Sequence, residues 1–175
     1  MQRFSWLDEV PFPYELVWSR LRDKIEGIVS FVPELSGVDV LELVERNGKL
    51  ERTAQWWLGE EAVPLPLRGL VAGRRTSWME HSVFEENGVV RWRQWLPTRP
   101  DAVDVRGRLE LLDEGEDTVV QLSGELIVRP EHFPELPDIV KERGLPAFEA
   151  LVMQFGEPRF RQTVRAMERY LEESY

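Results

Sequence analysis

The segment from Leu145 to Leu171 reads LPAFEALVMQFGEPRFRQTVRAMERYL, and the spacing of its apolar residues decides the architecture. Leu145, Phe148, Val152 and Phe155 recur at steps of three and four. Phe160, Val164, Met167 and Leu171 do the same, so the segment predicts a long amphipathic helix with one apolar stripe. The five-residue step from Phe155 to Phe160 is off-period, and Gly156 and Pro158 fall inside it. That step predicts a kink or a break. A helix with one apolar stripe needs an apolar surface to cover, and the rest of the chain must supply it.

Upstream, the period changes from helical to alternating. Val38–Glu45 and Lys49–Leu58 flank Asn47-Gly48, a strong two-residue hairpin signal, and Leu50, Ala54, Trp56 and Leu58 share one face. Arg74–Glu85 and Val89–Leu96 flank Asn87-Gly88, which predicts a second hairpin of the same kind. Val103–Leu112 and Thr118–Val128 make a third across Asp113-Glu114-Gly115-Glu116-Asp117. In that pair Val103, Val105, Leu109 and Leu111 lie on one face, as do Thr118, Val120, Leu122, Leu126 and Val128. Clean alternation gives each strand one wet face, so the six strands read as an antiparallel meander with one dry side.

Before the meander, Gln2–Glu9 alternates loosely, with Phe4 and Trp6 on one side, and predicts a first strand ended by Pro11 and Pro13. Tyr14, Val17, Trp18, Leu21, Ile25 and Ile28 then follow helical spacing, with Pro13 suited to the first turn. Gly27 weakens the end of this helix, and Ser30–Pro33 continues as a turn or second short helix. The acidic, proline-rich stretch from Pro130 to Gly144 reads as a loop inserted before the last helix.

Composition sets the outer limits. At 175 residues, with 42% apolar and 31% charged residues, the chain fits one globular domain spanning 1–175. Seven tryptophans and eight phenylalanines require a large core or a lined cavity. The net charge of −10 argues against nucleic acid as a partner, because phosphate contacts need a basic surface. The absence of cysteine excludes disulfides, thiolate nucleophiles and cysteine-ligated metals. No run approaches the ~18 apolar residues of a membrane span, so no stable membrane insertion is expected and the location is expected to be cytoplasmic.

The order strand, helices, six strands, long helix resembles the START-like or SRPBCC superfamily, which includes polyketide cyclase/dehydrase and lipid-transport types. Pro13-Tyr14-Glu15-Leu16-Val17-Trp18 with Leu21 and Asp23 is similar to the family's opening helix. Phe31-Val32-Pro33 before Val38-Asp39-Val40-Leu41-Glu42 resembles its entry into the second strand. Trp78-x-Glu80, Phe84-Glu85-Glu86-Asn87-Gly88 and Trp92 resemble its central hairpin, and Gly107, Leu109 and Gly115-x-x-Thr118-x-Val120 its last one. The resemblance covers nearly the whole chain and implies an α+β helix-grip fold: a curved antiparallel sheet of about seven strands wrapped around a long C-terminal helix, with one or two short helices after the first strand. It also implies an internal cavity for a small hydrophobic molecule.

Within such a cavity the candidate ligand-binding residues are Arg52, Trp56, Trp78, Glu80, Phe84, Phe148, Val152, Phe155 and Met167. The bland reading of each apolar one is plain core. Arg52 shares a face with Leu50, Ala54 and Trp56, whereas Arg74, Arg91 and Arg93 lie among aromatic neighbours on central strands. A buried arginine is costly unless paired, so an inward one is either ion-paired or a contact for an anionic ligand; the alternative is an outward arginine snorkelling over tryptophan. His81 and His132 are isolated, and neighbours in a strand point to opposite faces, so Glu80 cannot orient His81. No metal site, no cofactor and no catalytic signature follows. The first functional reading is non-enzymatic binding or transport of a lipid, polyketide-like or aromatic molecule. A second is a cyclase or dehydratase using His81, Glu80 or Arg52, and a third is an interaction module or homodimer.

Overall fold

The computed structural model describes residues 1–59, 76–134, 138–143 and 145–174, and for residues 140, 142, 143, 145, 147, 148, 151, 152 and 154–156 only the backbone. Seven strands form one antiparallel sheet: β1 (Gln2–Val10), β2 (Leu35–Arg46), β3 (Lys49–Leu58), β4 (Ser77–Glu85), β5 (Val89–Leu96), β6 (Arg99–Asp113) and β7 (Thr118–Val128). Their spatial order is β1-β7-β6-β5-β4-β3-β2, a meander whose last strand carries the first on its free edge. The expected strand Arg74–Glu85 is described from Ser77 onward, and Arg74 lies outside the described residues.

Local sequence fixes the registers. Asn47 and Gly48 both take positive φ, 53° and 74°, and Arg46 pairs with Lys49, which is the two-residue loop that the sequence predicts. The second hairpin differs. Glu85 pairs with Val89, so three residues, Glu86-Asn87-Gly88, form a 3-10 turn in place of a two-residue loop. Gly88 (φ 74°) tucks under Tyr14, where a Cβ would come within 2.7 Å of the ring.

The helices between β1 and β2 also depart from expectation. The first, α1 (Tyr14–Asp23), stops at Lys24, whose φ/ψ of −135°/36° is not helical, rather than near Gly27. The second, α2 (Ile25–Val29), starts at once and buries Ile25, Ile28 and Val29. The break at Lys24 leaves Ile25, Ile28 and Val29 in the same core cluster as Val17. Gly27 packs against the C-terminal helix instead: a Cβ there would meet Tyr170 Cε2 at 2.5 Å.

The inserted stretch is not all loop. Pro130–His132 forms a 3-10 turn, Phe133 is buried with Ala102, Leu126 and Val128, and α3 (Asp138–Arg143) follows. The buried Phe133 ring, with Arg99 5.4 Å over its face, docks this segment against β6 and β7. The last helix, α4 (Leu145–Glu173), runs continuously with Pro158 inside it, so no break occurs. An interior proline costs about 3 kcal/mol. Burial of Phe160, Val164, Met167 and Leu171 just downstream offsets that cost at about 1.5–3 kcal/mol for each fully buried apolar side chain.

Gly107 and Gly124 face each other across β6 and β7. A Cβ on Gly107 would sit 2.2 Å from the Ser123 carbonyl oxygen and 2.7 Å from the Trp92 ring; one on Gly124 would sit 2.6 Å from the Arg106 carbonyl oxygen and 2.7 Å from Phe4. Gly107→Ala is therefore expected to destabilise the protein by about 1–3 kcal/mol, the range of overpacked cores. Urea denaturation measures this, and a loss below about 0.5 kcal/mol means that this position tolerates a side chain.

An apolar cavity with a buried ion pair

Between the concave sheet face and α4 lies a cavity of about 410 Å³. Alternation along the strands builds its wall. In β3, Leu50, Arg52, Ala54 and Trp56 are buried while their neighbours are not, and in β4 the same holds for Glu80, Ser82 and Phe84. The helix contributes Met153, Phe160, Val164 and Met167, and α2 contributes Ile25 and Ile28. A row of rings closes one side: Trp92 lies 6.3 Å from Phe4, Phe4 stacks on Trp6 at 4.6 Å, and Trp6 meets Phe160 at 5.9 Å.

Six of the nine residues singled out from sequence meet here: Arg52, Trp56, Trp78, Glu80, Phe84 and Met167 all line the cavity. Trp56 and Trp78 are opposed across β3 and β4 and stack with ring centroids 6.0 Å apart and planes 8° from parallel. Phe148, Val152 and Phe155 sit on α4, but their side chains lie outside the described residues.

Arg52 and Glu80 make the polar floor. Arg52 is only 4% exposed. Its Nη1 donates to the carbonyls of Leu21 (3.2 Å) and Arg22 (3.5 Å) at the end of α1, its Nη2 lies 3.9 Å from Glu80 Oε1, and its guanidinium carbon sits 4.8 Å over the Phe84 ring. Burial pushes the Arg52 pKa down, while Glu80 and then Glu26 pull it back up. It keeps its charge, since arginine does not deprotonate in proteins. Glu80 accepts from Ser82 Oγ at 2.8 Å and from Gln94 Nε2 at 2.7 Å. Both carboxylate oxygens are thus engaged, the condition under which a buried carboxylate is tolerated.

A second charged pair borders the cavity between the α2–β2 connection and α4. Arg159 and Glu34 both line this edge, where burial lowers the Arg159 pKa and neighbouring Glu34 raises it, with Thr163 one turn along the helix. Sequence reasoning missed Glu34, Arg159, Ser82 and Gln94. Ser82 had a signal, since it stands two residues from Glu80 on the same strand face. Gln94 had none without the correct loop length.

The other candidates fall elsewhere. Arg91 and Arg93 project from the opposite, outer face, because Trp92 between them points inward. His81 is on that outer face too, its Nδ1 3.3 Å from Thr53 Oγ1, so it is no base for the cavity. His132 is exposed on its 3-10 turn.

Among the described residues no helix is long and apolar enough to cross a membrane. No protein-family model and no curated protein matches the sequence. Solved structures do match. TTHA0849 from Thermus thermophilus superimposes with a TM-score of 0.69 at 19% identity, over 99% of both chains. Zhui aromatase/cyclase from Streptomyces sp. R1128 gives 0.66 at 18% identity, over 97% of this chain and 95% of that one. A START superfamily protein from Mycobacterium smegmatis gives 0.59 at 16% identity, over 99% of both. With its seven-stranded antiparallel meander curved around one long helix, this chain has the START-like, helix-grip fold.

Proposed function

We propose that residues 1–175 act as one START-like unit that binds or carries a small hydrophobic molecule between sheet and helix. The observation that carries this reading is the cavity itself: about 410 Å³, walled by tryptophan, phenylalanine and aliphatic side chains, with one buried polar cluster. Ligand sites typically measure about 300–1,000 Å³ and pair apolar walls with a few convergent polar groups. An apolar guest gains about 25 cal/mol for each Å² it removes from water, so no covalent step is needed for affinity. Arg52 and Glu80 orient the guest, and Trp56, Trp78, Phe84 and Met167 supply its apolar contacts; Phe148, Val152 and Phe155 belong to the same proposal from their helical spacing. The setting is a cytoplasmic one, with no nucleic acid and no cofactor involved.

A second reading, an enzyme of cyclase or dehydratase kind, is supported by the likeness to the Zhui aromatase/cyclase and by a charged pair inside an apolar chamber. In it Arg52 would hold a carbonyl oxygen and Glu80 would move a proton. The two readings separate on whether a bound molecule leaves unchanged.

Native mass spectrometry of the purified protein is expected to show a co-purifying hydrophobic molecule, and anilinonaphthalene sulfonate is expected to be displaced by fatty acid or aromatic competitors. Val164→Trp, which fills the chamber, should abolish dye uptake with the far-UV circular dichroism intact. A wild type that carries nothing and takes up neither dye nor competitor ends the proposal. Arg52→Met and Glu80→Gln are each expected to destabilise the fold. In a double-mutant cycle, the pair should couple by at least about 0.5 kcal/mol; strict additivity would mean that the two side chains act independently at 3.9 Å.

A further inference from the structure

The outer face of the sheet carries a cationic cluster that the cavity does not explain. The chain has net charge −10, yet Arg91 stands directly opposite Arg108, and Arg93 directly opposite Arg106, on the paired strands β5 and β6. Like charges opposed across a ladder destabilise a sheet, so two consecutive such pairs need a compensating partner. Carboxylates supply part of it from the rim. Arg91 Nε lies 3.3 Å from Glu85, Arg93 Nε 2.8 Å from Asp104, Arg106 Nε 2.6 Å from Glu125, and Arg108 Nη2 2.9 Å from Glu110. In three of the four it is Nε that meets the acid, which leaves Nη1 and Nη2 to other partners.

Those remaining donors border a groove of about 370 Å³. It is lined by Arg3, Arg91, Arg106 and Arg108, with the backbone of Gly107 and Gly124 at its base. Glu125 is the one carboxylate in the lining, against four guanidinium groups, and Ser123 adds a hydroxyl. The arginine side chains on β5 and β6 that border the groove are 42–61% exposed, so a solute reaches them. Several planar forks of donors around a small concavity match a tetrahedral dianion, whose oxygens accept from more than one guanidinium at once.

We propose that this groove is a phosphate-binding site, taking the phosphate group of a small phosphorylated molecule or of a lipid headgroup. It lies on the opposite side of the sheet from the cavity and does not depend on what the cavity holds.

Thermal unfolding in inorganic phosphate and in pyrophosphate, against chloride at matched ionic strength, tests the site. A rise of several degrees specific to phosphate is expected. Co-sedimentation with phosphatidic-acid vesicles identifies the source: phosphate response with vesicle binding points to a headgroup, and phosphate response without it to a soluble phosphate. Arg91→Gln should weaken the apparent phosphate affinity on the order of tenfold, the worth of one charge-assisted hydrogen bond. Because it relieves the opposition to Arg108, the variant alone should unfold no lower than wild type. Arg46→Gln, on the exposed end of β2, should respond as wild type does. The proposal is overturned if phosphate and chloride act alike, or if Arg91→Gln lowers the unfolding temperature while keeping the phosphate response.

Discussion

The seating of α4 across the hollow of the sheet is the contact on which the rest depends. Its buried stripe, Phe160, Val164, Met167 and Leu171, packs into the same core as Val10, Val17, Ile25, Ile28, Val120 and Trp56, joining both helices and the sheet in one cluster. Two features set the position of its C-terminal half. Asp8 on β1 sits 3.7 Å from Arg161 and 3.6 Å from Arg165, a short ladder of charge along the helix. At α2, the missing side chain of Gly27 lets the Tyr170 ring lie against the backbone, with Phe31 edge-on to the same ring at 6.2 Å. The N-terminal half is held as well, where the Met1 amino group meets the buried Glu149 carboxylate at 2.9 Å.

Placing Arg52 and Glu80 in the wall of that cavity has a cost in solvation that apolar residues would not incur. A buried ion pair rarely stabilises a protein relative to well-packed hydrophobic replacements of the same shape. At 3.9 Å, the Arg52–Glu80 approach is long, and most of the satisfaction comes from other groups: the carbonyls ending α1, the face of Phe84, Ser82 and Gln94. The pair ties four elements together, α1, β3, β4 and β5. Such a cluster holds polar atoms at fixed points in an otherwise greasy chamber, which is what orienting a guest requires and what a plain core does not.

Much of this was legible in the sequence, because most of the fold is period. The strands Lys49–Leu58, Val89–Leu96 and Thr118–Val128 carry alternation clean enough to give both ends, and the inward face of β3 follows from Leu50, Ala54 and Trp56. What stayed hidden depended on events one residue long. A two-residue loop at Asn87-Gly88 would pair Glu86 with Val89 and set Trp95 opposite Glu80; the three-residue loop sets Gln94 there and so supplies the carboxylate with its donor. The break at Lys24 and the continuity of α4 through Pro158 are likewise tertiary outcomes, in which packing against a neighbour overrides local preference. Phe133 gave no signal because its segment, with apolar Leu136, Ile139 and Val140 scattered among prolines and acids, shows no regular period.

The run Arg91-Trp92-Arg93 shows how far a strand's alternation reaches into function. Period two sends the indole inward, where it continues the ring row with Phe4, and sends both guanidinium groups outward. Opposite it on β6, Arg106-Gly107-Arg108 repeats the alternation with the inward side chain deleted, since the Trp92 ring occupies the space a Cβ at Gly107 would need. On the outer face of the same position, Arg106 and Arg108 line one groove with Arg3 of β1. Trp92 borders the cavity on one side and the arginine groove on the other. A single sheet position, glycine against tryptophan, therefore shapes both faces. A substitution at Trp92 changes a wall of both concavities.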